Sequence, residues 1–251
     1  MKNRLDKLLV DRALVTSRER AQALILAGRV LVDEQKIDKP GASVSTDAVL
    51  RLLGGDLRYV SRGGLKLEHA LQHFGLSVAG LACCDIGAST GGFSDCLLQH
   101  AAASVLAVDT GYGQIAHSLR VDPRITLLER TNARLLTPGQ LLPLAPQPVT
   151  FLVMDVSFIS ATLVLPAVLG ALVPPSHTWH GDAVLLVKPQ FEAGREHVGK
   201  GGIVRDPAAH QLAIDRIRTA VTDLHGQALA LTDSPILGTE GNKEFLLHAK
   251  F

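Results

Sequence analysis

Four ionisable residues of this 251-residue chain could do chemistry together: three lie at or beside the ends of predicted strands, and one lies on a predicted helix. Asp155 ends an apolar strand in the segment MDVSF, and Lys188 ends the next strand in LLVKPQFE. Lys66 lies in SRGGLKLE, on the helix that enters the same domain, and Glu244 lies in GNKEFLL, at the start of the last strand. Because parallel strands place their carboxyl ends at one edge of a sheet, we expect these lysines and carboxylates to converge there.

This combination of side chains suits the activation of a hydroxyl group. A ribose hydroxyl is a poor nucleophile until it is deprotonated, and a lysine whose pKa is lowered by burial and by a second lysine can accept that proton. The carboxylates orient the lysines and limit the positive charge of the cluster. We expect Lys188 to be the base. A surface salt bridge is the competing interpretation, and it applies most to Lys66 and Glu244.

A glycine-rich turn, DIGASTGGF, follows the first predicted strand of the same domain. Its glycines, Gly87, Gly91 and Gly92, let the backbone approach a ligand closely at the start of a helix. The turn lacks the G-x-G-x-x-G spacing of a dinucleotide site, and the missing G-x-x-x-x-G-K-[ST] excludes a P-loop. A turn that merely packs a helix onto a strand is the competing interpretation.

Two carboxylates flank this turn and indicate what it binds. Asp85 sits at a strand end, where it can accept hydrogen bonds from an ammonium group and would repel a pyrophosphate. Asp109 ends the next strand, where an acidic residue accepts both hydroxyls of a ribose. A ligand with a ribose and a cationic amino-acid tail but no phosphate is S-adenosylmethionine, so the pattern predicts a methyl-donor site.

Two other methylation chemistries are disfavoured by the sequence. Adenine amino-group methylation usually shows [DN]-P-P-[FY] after the fourth strand, and this chain has DVSF there. Cytosine C5 methylation needs a cysteine nucleophile at the site. The predicted elements instead put the cysteines inside the first strand (Cys83, Cys84) or on the first helix (Cys96).

The elements that must position these residues alternate along the chain. Strands are predicted at 81–86, 104–109, 125–128, 148–155, 183–188, 227–232 and 243–249, and helices at 65–74, 93–100, 112–119, 160–173 and 207–225. This alternation predicts an α/β fold with a mostly parallel, doubly wound, Rossmann-like sheet. A short connection between the last two strands predicts antiparallel neighbours at one edge.

The N-terminal part of the chain predicts a separate α+β module with a positive charge. Residues 1–66 hold 13 Lys and Arg against 8 Asp and Glu, whereas the remainder of the chain is net negative at 12 against 16. Two short helices, at 4–14 and 18–27, precede a small β-element. We therefore predict a polyanion-binding domain at 1–57, a linker at 58–64 and the sheet domain at 65–251. A solvated charged helix face is the competing interpretation of the charge.

Composition excludes several classes of protein. Hydrophobic residues at 47% and charged residues at 20% exclude long disorder. The charged N-terminus cannot be a signal peptide, no run reaches the roughly 20 apolar residues of a membrane span, and the odd number of cysteines fits a reducing compartment. We expect a soluble, cytoplasmic protein. Since no Cys/His cluster has ligand spacing, we expect no metal site.

Longer motifs carry a resemblance to known families. The segment RLDKLLVDRALVTSRERAQALILAGRVLVD resembles an S4-like RNA-binding domain. The motifs DIGASTGGF, VDTGYGQ, ERTNAR, MDVSFIS, LVKPQFE, GKGGIVRDP and GNKEF, in this order, resemble the TlyA family of rRNA 2′-O-methyltransferases, which share the FtsJ-like methyltransferase fold and its Lys-Asp-Lys-Glu tetrad. The resemblance covers nearly the whole chain and implies S-adenosylmethionine as cofactor and a cytidine ribose in rRNA as target.

Site residues follow by position from this resemblance. The tetrad falls on Lys66, Asp155, Lys188 and Glu244. The expected cofactor-binding residues are Asp85, Gly87, Ser89, Gly91, Gly92, Phe93, Asp109 and Asn132, the last where many FtsJ-like enzymes have aspartate. The expected RNA-binding residues are Arg4, Arg18, Arg20, Arg29 and Lys39 on the N-terminal domain and Arg130 and Arg134 beside the cofactor site.

The expected partner is rRNA or a ribosomal subunit, with no DNA and no membrane, and the sequence leaves protein partners and the choice of subunit open. Three other functions stay in competition: an RNA-binding ribosome-assembly factor without turnover, a membrane-active haemolysin, and a methyltransferase for a protein or small molecule. Phe158 or Phe191 could stack on a base flipped out of the RNA, or could lie in the core.

Overall fold

The computed structural model describes residues 2–15, 17–53, 58–238 and 241–251. It divides the chain into two compact units, Met1–Leu57 and Arg58–Phe251. Each unit has a hydrophobic core of its own. The predicted domain end at residue 57 falls on residues 54–57, which lie outside the described part of the chain.

The first unit combines two short helices with short antiparallel strands. Its elements are β1 (Lys2–Arg4), α1 (Leu5–Asp11), α2 (Arg18–Leu26), β2 (Val30–Val32), β3 (Gln35–Lys36), β4 (Ser43–Ser45) and β5 (Leu50–Leu52). Strand β1 pairs with β4, and β2 lies between β3 and β5. Ser17 caps α2 by accepting a hydrogen bond from Arg20 N at 3.2 Å, as its side chain and position predict.

The second unit is a seven-stranded sheet with helices on both faces. Its strands are β6 (Ala82–Ile86), β7 (Ser104–Val108), β8 (Ile125–Leu128), β9 (Val149–Met154), β10 (Asp182–Val187), β11 (Gln227–Asp233) and β12 (Phe245–Lys250). Its α-helices are α3 (Gly63–Phe74), α4 (Gly92–Gln99), α5 (His117–Arg120), α6 (Ala161–Ala171), α7 (Pro189–Glu192) and α8 (Pro207–Asp223).

The strand order is β11-β12-β10-β9-β6-β7-β8, and the last five strands of that order are parallel. Strand β12 pairs antiparallel with both β10 and β11. The predicted mostly parallel sheet and the antiparallel final pair are therefore confirmed. Since β10, β9, β6 and β7 are consecutive neighbours, the residues that follow them lie side by side along one edge.

The segment predicted to be a linker, 58–64, belongs to the second unit from its first residue. Tyr59 is 2% exposed and lies in a core cluster with residues of α3 and α4. Val60 N donates to Asp95 Oδ2 at 2.7 Å, and α3 begins at Gly63. The glycines and charged residues of this segment predicted a linker. The core that receives Tyr59 is formed by residues distant in sequence, so the composition of the segment did not show that Tyr59 is buried. Where the RNA-binding and methyltransferase domains begin and end stays a prediction.

The helix predicted at 112–119 was too long. Only His117–Arg120 is helical, and Gly113 has φ +70° in the preceding turn. Glycines at 111 and 113 favour a turn over a helix, which leaves the Tyr112 side chain 66% exposed.

In the described ranges, no helix has both the length and the apolar character needed to cross a membrane.

Candidate active site

Lys188 forms the centre of the first half of the candidate site. It follows β10 and is 8% exposed. Its Nζ lies 2.5 Å from Asp155 Oδ1 and donates a hydrogen bond to Ser157 Oγ at 2.7 Å. Asp155 follows β9, the parallel neighbour of β10, so the shared carboxyl edge brings the two side chains together. This contact follows directly from the strand order.

The second half of the site is the pair Lys66 and Glu244, whose Nζ and Oε2 lie 2.5 Å apart. Lys66 is 8% exposed and Glu244 2%. Glu244 directly precedes β12, whose first residue Phe245 is opposite Val187 at the end of β10. In an antiparallel pair one strand starts where the other ends, so Glu244, just before β12, reaches the same edge as Lys188, just after β10.

Close backbone contact places the helix that carries Lys66. A Cβ on Gly92, the first residue of α4, would lie only 2.9 Å from Gly64 N and 3.2 Å from Gly63 Cα. The starts of α3 and α4 therefore approach each other closely at glycines, and the Ser61 side chain packs against the same position. Lys66 follows in the first turn of α3, so this contact fixes the lysine beside the glycine-rich turn.

The glycine-rich turn is held to both neighbouring strand ends. Gly87 has φ +85°, and a Cβ there would lie 2.5 Å from the carbonyl oxygen of Asp155. Its N–H donates to Val108 O at 2.9 Å, while Asp155 N donates to Ile86 O at 2.9 Å. Only glycine fits this position, and the turn thereby sets the height of Asp155 above the sheet.

Asp85, which was predicted to accept hydrogen bonds from the ammonium group of the cofactor, is enclosed by the protein. It is fully buried, its Oδ2 accepts a hydrogen bond from Ser94 Oγ at 2.7 Å, and its Oδ1 has no protein partner among the described residues. Burial raises the pKa of Asp85 to about 7, with the nearby Asp155 and Asp109 carboxylates adding to the shift and Ser94 opposing it. The unpartnered oxygen is a site for a donor that the protein itself does not supply.

This buried carboxyl group predicts a pH-dependent stability. Between its ordinary pKa of 3.8 and the folded value of about 7, the folded chain holds a proton that the unfolded chain has released. The free energy of unfolding therefore falls as pH rises through that window. We expect Asp85→Asn to raise the melting temperature relative to wild type by several degrees more at pH 8 than at pH 5, measured by calorimetry.

A matched control for this prediction is Asp223→Asn at an exposed position at the end of α8. It should shift the melting temperature equally at both pH values. If Asp85→Asn shows the same difference from wild type at pH 5 and pH 8, the carboxyl group is not protonated in the folded protein near pH 5.

The other expected cofactor residues surround the same turn. Asp109 accepts hydrogen bonds from Ser89 N at 2.8 Å and from Gly111 N at 2.6 Å, so both its oxygens are held in place and each keeps a free lone pair. Asn132 is exposed, and its Oδ1 accepts from Arg134 N at 3.1 Å, which leaves the amide group to donate. Gly91 precedes α4, and Phe93 packs in the core at 3% exposure.

Two adjoining cavities lie over this edge of the sheet. One, of about 230 Å³, is lined by Lys66 and by Phe93. The other, of about 380 Å³, is lined by Asp109 and Asn132 and reaches Phe158. Gly87, Ser89 and Asp155 line both cavities. The glycine-rich turn and Asp155 thus separate a region with the Asp109 carboxylate from a region with the Lys66 ammonium.

The expected RNA-binding residues divide between the two units. Arg4, Arg18, Arg20, Arg29 and Lys39 belong to the first unit, and Arg130 and Arg134 to the second. Arg29 is half-buried and donates to Leu53 O at 2.9 Å, so part of its guanidinium is used within the fold. The Arg130 guanidinium lies 4.0 Å from the centre of the exposed Tyr112 ring. Arg134 is exposed beside Asn132.

Two buried residues that sequence reasoning missed position the site. Glu192 is 4% exposed and accepts hydrogen bonds from Ser160 Oγ at 2.5 Å and Ala161 N at 2.8 Å, which ties the segment after Lys188 to the segment after Asp155. Burial raises its pKa.

Asn242, at 1% exposure, bonds Val204 N at 3.0 Å and Gly202 O at 2.9 Å and so fixes the segment before Glu244. Glu192 lies in the motif KPQFE and Asn242 in GNKEF, and both motifs contributed to the sequence analysis. The sequence does not show which polar residue of each motif is buried. A third missed residue, Ser157, was visible in MDVSF.

No group of three His, Cys, Asp or Glu residues with the geometry of a metal site occurs within the described ranges.

Phe158 is almost fully exposed. Its exposure of 92% is the highest among the large hydrophobic side chains of the described ranges. It has φ +64° and lies 5.4 Å from the ring of Phe191.

Comparison with known proteins assigns both units. Residues 59–251 match the model of the FtsJ-like methyltransferase family, and residues 3–50 match the S4 domain. The chain is 49% identical to YqxC of Bacillus subtilis, provisionally named an rRNA methyltransferase, over 98% of this chain and 85% of that protein. It is 44% identical to the 16S/23S rRNA (cytidine-2′-O)-methyltransferase TlyA of Mycobacterium tuberculosis, over 97% and 88% respectively. A solved structure from Streptococcus thermophilus, provisionally named a hemolysin, is 42% identical with a TM-score of 0.73 and covers 99% of this chain and 88% of that chain.

Proposed function

This chain is a methyltransferase that belongs to the TlyA branch of the FtsJ-like family, and we propose that it methylates the ribose 2′-hydroxyl of a cytidine in rRNA. The observation that carries the proposal is the pair of ion pairs, Lys188 with Asp155 and Lys66 with Glu244, at one edge of the sheet. A hydroxyl group needs a base. Lys66 lines one of the two cavities, and Asp155, the partner of Lys188, lines both.

The cleft fits S-adenosylmethionine as the cofactor. Asp109 presents a rigid carboxylate with free lone pairs, which suits the two ribose hydroxyls. Asn132 offers an amide group to an adenine edge, and the unpartnered Oδ1 of Asp85 provides an acceptor at the base of the turn. When bound, this cofactor supplies an electrophilic methyl group. We propose that the residues that bind this cofactor are Asp85, Gly87, Ser89, Gly91, Gly92, Phe93, Asp109 and Asn132.

Lys188 acts on the hydroxyl group. In its neutral form, Nζ accepts the proton of the 2′-hydroxyl, and Asp155 at 2.5 Å stabilises the ammonium that results. Ser157 fixes the direction of Nζ through its hydrogen bond. Lys66, oriented by Glu244, adds positive charge in the cavity where the oxygen becomes negative. Phe158 projects into solvent beside this cleft, where it can stack on a target base that has left its helix.

The S4 domain supplies RNA affinity through phosphate contacts that position the RNA without reading its sequence. Arg4, Arg18, Arg20, Arg29 and Lys39 serve this role in the first unit, and Arg130 and Arg134 serve it beside the cofactor cleft. Because its substrate is the ribosome or its rRNA, the enzyme works in the cytoplasm. Because this RNA affinity comes from contacts with phosphates, we expect RNA binding to weaken steeply as the salt concentration rises.

The proposal is tested by methyl transfer. Purified protein is incubated with labelled S-adenosylmethionine and ribosomal subunits from a strain that lacks the enzyme, and the RNA is then digested with alkali. We expect label in an alkali-resistant dinucleotide, because a methylated 2′-oxygen cannot attack the neighbouring phosphate. Label only in mononucleotides would mean base methylation. RNA binding without label would favour an assembly factor.

A further inference from the structure

One carboxylate of the S4 domain is fully buried and surrounded by cationic side chains. Asp6 is 0% exposed at the start of α1. Its Oδ1 accepts from Arg4 Nε at 3.0 Å, and its Oδ2 accepts from Arg4 Nη2 at 2.9 Å, Arg18 Nη2 at 2.9 Å and Gln22 Nε2 at 3.0 Å. The hydrogen bonds from Arg4, followed by those from Arg18 and Gln22, hold the pKa of Asp6 well below its usual range against the opposing effect of burial.

The two arginines remain open to solvent although Asp6 is not. The side chain of Arg4 is 54% exposed and that of Arg18 is 51% exposed. Each guanidinium has five N–H donors, and Asp6 takes two from Arg4 and one from Arg18. Among the described residues the remaining donors have no protein acceptor, so two guanidinium groups held by one buried anion are exposed to solvent.

The turn that carries Lys39 is hydrogen-bonded to the start of α1. Leu5 N donates to Ala42 O at 2.9 Å and Asp6 N donates to Pro40 O at 3.1 Å, which fastens the turn 38–41 to the start of α1. A Cβ on Gly41 would lie 3.4 Å from Arg4 Nη1, so the guanidinium rests against this turn. The exposed Lys39 belongs to the same turn.

We propose that Arg4 and Arg18, assembled on buried Asp6, form a preformed binding site for a phosphodiester group of the RNA. This inference rests on the proposed function and adds a role for Asp6. Arg4 comes from β1 and Arg18 from α2, and the two like charges would repel each other without the carboxylate between them. A site that is assembled before binding does not lose the entropy of ordering two long side chains. Guanidinium groups bind phosphate oxygens with paired hydrogen bonds.

The competing explanation is that Asp6 only fastens α1 to α2. The two explanations predict opposite effects of removing the negative charge. If Asp6 is a structural fastening, Asp6→Asn makes the domain more positive and RNA binds as tightly as before or more tightly. If Asp6 assembles the site, the same change weakens RNA binding.

The experiment measures the affinity of the full chain for ribosomal subunits over a range of salt concentrations. We expect Asp6→Asn to weaken binding about tenfold and to lower the salt slope by about 1, the loss of one phosphate contact. The matched control is Glu34→Gln, which also removes a carboxylate paired with an arginine of the same domain, Arg51, but an exposed one. It should bind as tightly as wild type or more tightly.

Two exposed variants keep the test valid if Asp6→Asn fails to fold, which circular dichroism and thermal unfolding reveal. Arg4→Gln and Arg18→Gln should each weaken binding and lower the salt slope, whereas Arg51→Gln should change binding less. Equal affinities of Asp6→Asn and Glu34→Gln in folded proteins, or of the Arg4, Arg18 and Arg51 variants, would overturn the inference. The proposed function fails separately, when wild-type protein binds subunits but leaves no alkali-resistant label.

Discussion

Lys188→Met is expected to lower the rate of methyl transfer about a thousandfold, because the reaction loses its base while the cleft keeps its shape. Methionine has nearly the length of lysine and suits a side chain that is 8% exposed. Binding of labelled S-adenosylmethionine and of ribosomal subunits should stay within about threefold of wild type. The readout is the initial rate of label entering the alkali-resistant dinucleotide at saturating subunits.

The control for this variant is Lys243→Met, which removes a lysine paired with Asp233 at 2.9 Å on the protein surface. Its rate should equal that of wild type. A Lys188→Met enzyme with more than about a tenth of the wild-type rate would contradict the assignment of Lys188 as the base. Raising the pH should not restore the lost activity, since methionine does not ionise.

Removing Glu244 alone is expected to cost about 3–5 kcal/mol of unfolding free energy, because it leaves the Lys66 ammonium buried and unpaired. The pair is 8% and 2% exposed, so solvent cannot replace the lost carboxylate. Replacing both residues, Lys66→Met with Glu244→Leu, should recover most of that stability, since a buried ion pair is seldom more stable than apolar side chains of similar size. Denaturant unfolding of the wild type, of Glu244→Leu and of the double variant measures the three free energies of unfolding.

Activity separates the two roles of this pair. We expect the double variant to stay inactive although it folds, because the positive charge in the cavity is gone. A matched change of an exposed pair, Arg51→Met with Glu34→Leu, whose side chains are 52% and 64% exposed, should affect stability by less than about 1 kcal/mol. A stable double variant that methylates rRNA at the wild-type rate would show that Lys66 and Glu244 serve only the fold.

Local patterns were enough to predict the parallel sheet and the strand ends. A run such as LACCDI is apolar on both faces, which is typical of a buried parallel strand, and its glycine-rich continuation marks the turn. Asp155 and Lys188 could be placed together because parallel topology puts their strand ends at one edge. The positions of Lys66 on the entering helix and of Glu244 at the start of the last strand suggested that they join the same edge, and the long resemblance to TlyA proteins then identified the four residues as one tetrad.

Burial was beyond the reach of these patterns. Asp85 resembles any strand-terminal carboxylate in sequence, yet it is enclosed and bonded to Ser94 on the next helix. Tyr59 lies in a segment rich in glycine and charge, yet it is a core residue. Asp6 sits among arginines like a charge on a solvated helix, yet it is the buried centre of a cluster drawn from three segments.

The sequence by itself determined the order of the elements, the sheet type, the charge of the N-terminal domain and the residues available for methyl transfer, because each follows from spacing and chemical type within a short window. Only the tertiary structure decided which lysine pairs with which carboxylate. Lys66 meets Glu244 across 178 positions of sequence because the antiparallel β12 enters beside β10. Pairing and burial depend on how distant segments fold onto each other, and a single sequence does not contain that information in any local window.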